Sequence, residues 1–79
     1  MKISQAVSER IKELLANKGM SMYKLKNLSG LSHSTFSCII YGRYNSCNLK
    51  PLLAIIYALK ISPKEFFDST LFDEENIGN

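Results

Sequence analysis

Apolar residues at Ile3, Val7, Ile11, Leu14 and Leu15 recur at intervals of three and four, the spacing of one face of an α-helix. Ser4 is placed to cap the start of this helix. Asn17-Lys18-Gly19 ends it, with Gly19 suited to the left-handed position just past a helix terminus. Glu9, Arg10, Lys12 and Glu13 are expected on its wet face. Ser21 then caps a second helix, whose buried side is expected to carry Leu25 and Leu28. It stops at Ser29-Gly30, and Leu31 sits in the turn as an apolar plug. Ser32 caps a third helix with Phe36, Ile39 and Ile40 as its buried stripe, and Gly42 closes it.

The opposite side of that third helix departs from an ordinary surface. At about 100° per residue, His33, Ser37, Tyr41, Ser34 and Cys38 share one arc roughly 140° wide. The arc holds no Glu, Asp or Lys. A solvated helix normally carries charge there, whereas small neutral hydrogen-bonding groups suit a face that lies against a partner. A polar loop, residues 43–48, leads to a fourth helix capped by Asn48, with Pro51 tolerated in its first turn. Leu49, Leu52, Leu53, Ile55, Ile56, Ala58 and Leu59 are apolar nearly all round, so this helix is expected to be central. Ser62-Pro63-Lys64-Glu65 reads as a capping box with proline at the first helical position, opening a short fifth helix with Phe66 and Phe67. No strand pattern or internal repeat appears. The expected class is all-α, a compact five-helix domain over residues 1–68 with an acidic tail over 69–79.

Seventy-nine residues, 46% hydrophobic and 22% charged, fit one small globular domain. The longest apolar run, Leu52 to Leu59, is far below the ~20 residues of a membrane span. Charge changes the picture more. Residues 1–64 hold all 10 bases and only Glu9 and Glu13 as acids, a net of +8. Residues 65–79 hold five acids and no base. A basic body points to a polyanionic partner, nucleic acid first.

Two cysteines, Cys38 and Cys47, are too few for a disulfide framework, and both are expected to be free thiols in a reducing cytoplasm. With His33 they match no zinc spacing and lack a fourth ligand, so neither a metal nor a cofactor is expected. One His and no acid between residues 14 and 64 argue against an enzyme, which needs an acid–base constellation.

Helix, glycine-containing turn, then helix with a polar outer face is the helix-turn-helix signature, and residues 22–41 fit it. Here the chain resembles the lambda-repressor/Cro-like (XRE-type) DNA-binding domains over about residues 4–68. The resemblance rests on Ser32-His33-Ser34-Thr35-Phe36-Ser37, close to the family's Ser-x-Ser-Thr-Ile-Ser, on Gly42-Arg43, and on Ile55-Ile56-Tyr57-Ala58-Leu59-Lys60-Ile61-Ser62-Pro63. It departs from the family at Met22 and Lys26, where Gln and Ala are usual.

The resemblance implies a lambda-repressor-like fold whose recognition helix, residues 33–41, lies in the major groove of double-stranded DNA. It places His33, Ser34, Ser37 and Cys38 toward base edges. It places Met22, Tyr23, Tyr41, Arg43, Asn45 and Lys50 toward phosphates. Arg43 can grip a phosphate with two parallel hydrogen bonds. Ser34 and Ser37 discriminate weakly between bases, and Cys38 can meet a thymine methyl group. The expected protein is a cytoplasmic transcriptional regulator, a repressor, acting as a homodimer on two-fold sites. Leu71 and Phe72 are candidate dimer contacts, or else pack on the chain's own core. The alternative is an antitoxin on the same fold, with a toxin as protein partner of the acidic tail.

Overall fold

A computed structural model describes residues 1–43 and 48–78. Five α-helices follow in order: α1 Ile3–Lys18, α2 Met22–Ser29, α3 His33–Ile40, α4 Leu49–Ala58 and α5 Pro63–Phe67. Two single 3-10 turns, Thr70–Phe72 and Glu74–Asn76, complete the described chain, which contains no strand. Three of the expected serine hydroxyl caps form. The hydroxyls of Ser21, Ser32 and Ser62 accept from the amides of Lys24, Thr35 and Glu65 at 3.1, 3.2 and 3.1 Å. α1 starts differently. Lys2 holds the N-cap position and Gln5 Oε1 accepts from the Lys2 amide at 3.1 Å. Ser4 is already inside the helix and is buried.

The core is one cluster. Val7, Ile11, Leu14 and Leu15 of α1 meet Leu25, Phe36, Ile39, Ile40, Leu52, Ile55, Ile56, Leu59, Ile61 and Phe66. Leu31 packs against its edge, as a plug in the turn should. Two leucines depart from the pattern. Leu28 is 47% exposed and Leu49 is 64% exposed. In eight-residue α2 only Leu25 points fully inward, and α4 keeps an outward face through Leu49 and Tyr57. Helical periodicity marks apolar positions but does not say how many the neighbours can cover.

Arg10 is the larger departure. It is buried rather than on the wet face. Its Nε donates to the Phe66 carbonyl at 2.8 Å, and Nη2 donates to the carbonyls of Glu65 at 2.9 Å and Asp68 at 3.5 Å. Nη1 pairs with the Glu13 carboxylate. A helix end leaves carbonyls without partners, and a cation there is favoured by the helix dipole. One guanidinium thus ties α1 to the end of five-residue α5.

The tail folds back on the same region. Phe72 packs against the core, its ring centroid 5.9 Å from Phe66 and 4.9 Å from Phe67. Of the two readings of Phe72, packing on its own chain is the one seen. The Gly78 amide donates to the Met1 carbonyl at 2.7 Å, closing the tail over the start of α1. Lys60 adopts φ 63° at the end of α4, between buried Leu59 and Ile61. Burial of both neighbours holds this β-carbon-bearing residue in a region that costs it roughly 1 kcal/mol.

α1 and α3 touch through small groups. Ser8 Oγ donates to the carbonyl of Ile40, the last residue of α3. Gly42 has φ 59°, and a β-carbon there would stand 3.1 Å from the Ser4 carbonyl oxygen. Gly30 has φ 71° with open space around it. Gly30→Ala therefore carries only the left-handed cost of about 1 kcal/mol, while Gly42→Ala adds a tight approach to the Ser4 carbonyl oxygen and is expected to cost more. Urea denaturation of the two variants measures the difference.

Candidate nucleic-acid interface

The end of α3 explains where Arg43 stands. The Gly42 amide donates to the Ile39 carbonyl at 3.3 Å, and the Arg43 amide donates to the Cys38 carbonyl at 3.2 Å. With Gly42 left-handed, these two bonds make a Schellman ending. They turn the chain sharply away from α3 and leave the Arg43 side chain exposed beside it. The Arg43 guanidinium carbon lies 5.4 Å from the centre of the Tyr41 ring. Tyr41 is 59% exposed, and Lys12 Nζ of α1 lies 6.0 Å from the same ring.

On α3 itself, His33 and Ser34 are exposed and Cys38 is half-buried, a free thiol. Ser37 does not share that exposed face. It is buried, and its Oγ lies 3.5 Å from His33 Nε2, one turn earlier. It shares one depression between α2 and α3 with Met22, Tyr23 and Lys26. Met22 and Lys26 are one turn apart on α2 and line that depression together with Ser37. A wheel drawn for α3 alone leaves out the adjacent α2.

At the start of α2, Tyr23 is 76% exposed while Met22 is partly buried against the core. A thioether cannot donate a hydrogen bond, so any phosphate contact at Met22 is left to its backbone N–H. Lys50 is exposed in the first turn of α4. Asn45 and Cys47 lie outside the described residues. Residues 14–64 contain no acid, and of the two acids before them Glu13 is engaged by Arg10.

A capped α2, a left-handed glycine, and a capped α3 with an uncharged polar outer side define a helix-turn-helix DNA-binding domain. The family model of the Cro/C1-type helix-turn-helix DNA-binding domain matches residues 10–70, and the chain belongs to that family. The all-helical, lambda-repressor-like fold expected from the sequence is borne out. No curated protein and no solved structure gives a match. Among the described residues no helix is long and apolar enough to cross a membrane.

Phe36 anchors α3 at 4% exposure, whereas Ser34 faces solvent. Phe36→Ala should cost about 3–5 kcal/mol of stability, and Ser34→Ala should stay within about 0.5 kcal/mol of the parent. Thermal melts of both variants decide this, and equal melts would mean that α3 is not held by its apolar stripe.

Proposed function

We propose that the protein is a sequence-specific regulator of transcription, a small cytoplasmic repressor that lays residues 33–41 in the major groove of double-stranded DNA. The observation that carries this reading is the outer side of α3. His33 and Ser34 are exposed, Cys38 is half-exposed, none is charged, and basic Arg43 stands at the helix end. His33, Ser34 and Cys38 meet base edges. The backbone at Met22, with Tyr23, Tyr41 and Arg43, meets phosphates, as does Lys50 from the start of α4. Ser37 supports His33 from within the protein rather than meeting a base. None of these side chains is an Arg, Gln or Asn reaching two atoms of one base, so discrimination per base pair is modest and DNA shape contributes.

The regulator acts as a homodimer, because helix-turn-helix domains of this kind engage two half-sites about one DNA turn apart. With Phe72 used internally, the exposed apolar side chains of Leu49 and Tyr57 make the α4 side the available contact. The chain works without a cofactor and catalyses no reaction. A second reading, an antitoxin whose tail holds a basic toxin, is favoured by one observation: Asp73, Glu74 and Glu75 are exposed together on the tail.

Selection from random duplex DNA tests the reading, with affinity then followed against salt. The expected outcome is an enriched two-fold motif and a steep fall of affinity as salt rises. Arg43→Ala should weaken all duplexes alike and flatten the slope of log affinity against log salt by about one. Binding indifferent to salt, or no enriched motif, contradicts the proposal.

A further inference from the structure

The surface of α1 continues the interface beyond the helix-turn-helix. Ser4, Ser8 and Lys12 stand four residues apart, so they share one face of α1. Ser4 and Ser8 are buried on this face, at the contact with the end of α3. Lys12, the next position in the row, is exposed beside the Tyr41 ring, with Arg43 near the same ring. The ring lies within 6.0 Å of both cationic groups, and it belongs to the C-cap residue of α3.

We propose that Lys12 is a DNA-backbone contact, forming with Tyr41 and Arg43 a phosphate-binding cluster built jointly by α1 and the end of α3. This rests on the DNA-binding reading above and extends it to a helix outside the α2–α3 pair. The chemistry is that of a phosphodiester. Arg43 presents a planar fork for two phosphate oxygens, Lys12 a compact ammonium, and the Tyr41 hydroxyl a single donor. Neither cation is committed elsewhere, since among the described residues the one ion pair is Arg10 with Glu13. Glu9 borders the same depression as Lys12 and Tyr41 but forms no ion pair with Lys12. The aromatic ring restricts both long side chains at a cation–π distance, which reduces the freedom they lose when a phosphate arrives. The contact is indifferent to sequence, so it adds affinity and sets the angle at which α3 enters the groove.

The test compares Lys12→Gln with Lys64→Gln, which removes the same charge from α5 on a part of the surface not assigned to DNA. Both lysines are exposed, and thermal melts check that both variants keep the fold. Affinity for one selected duplex and one scrambled duplex is measured across a salt series. Lys12→Gln is expected to weaken both duplexes several-fold at low salt and to reduce the salt slope by about 0.9, the value for one phosphate contact. Lys64→Gln is expected to keep the parental slope. If the parent binds with a steep slope and the two variants behave alike, the proposal is overturned while the DNA-binding reading stands. If the parent itself shows no salt-dependent binding, the DNA-binding reading fails and takes the proposal with it.

Discussion

The close approach of α1 to the end of α3 fixes where the residues of the interface stand. Two helices come this near only where the facing groups are small, and here they are Ser4, Ser8 and the bare α-carbon of Gly42. The Ser8 hydroxyl takes up the Ile40 carbonyl, one of the acceptors that a helix end leaves without a helical partner. Gly42 then supplies the left-handed turn that ends α3 and directs Arg43 along its side. Phe36, Ile39 and Ile40 hold the other side of α3 in the core. Gripped along its length and at its end, an eight-residue helix that would be marginal alone becomes a fixed platform. Tyr41, Arg43 and Lys12 come together for the same reason.

Arg10 supports this arrangement from the other side of α1. Its hydrogen bonds to the carbonyls of Glu65, Phe66 and Asp68 anchor α5, and through Phe66 they draw in Phe72 and the tail. The helix that positions α3 is therefore clamped between α3 and α5. The basic and acidic parts of the chain serve different ends. The bases are spread over residues 2–64, and Asp73, Glu74 and Glu75 stand on the tail that closes over the start of α1.

Helix number and order were legible because capping serines, terminal glycines and apolar spacing agree locally. Ser21, Ser32 and Ser62 each cap the helix they announce. What escaped sequence reading depends on which helices become neighbours. Arg10 looks like a solvated charge until α5 ends beside it and its carbonyls need donors. Ser37 looks exposed on a wheel of α3, which leaves out the adjacent α2. Leu28 and Leu49 look buried until α2 and α4 prove to leave those sides uncovered. Lys12 carries no signal at all in the sequence, since its place beside Tyr41 follows only from the contact between α1 and α3. Of the interface, Arg43, Tyr23, His33 and Ser34 stand exposed as expected, because each lies at a helix end whose local signals are strong.

The proposed function requires α3, presented by α1, to be the surface that meets DNA. Its most direct measurement is an amide chemical-shift titration of isotope-labelled protein with a selected duplex. The largest changes are expected at Met22, Tyr23, His33, Ser34, Cys38, Tyr41 and Arg43, with Lys12 joining them and residues of α5 nearly still. Changes centred on α5 and the tail, with α3 unmoved, would contradict it.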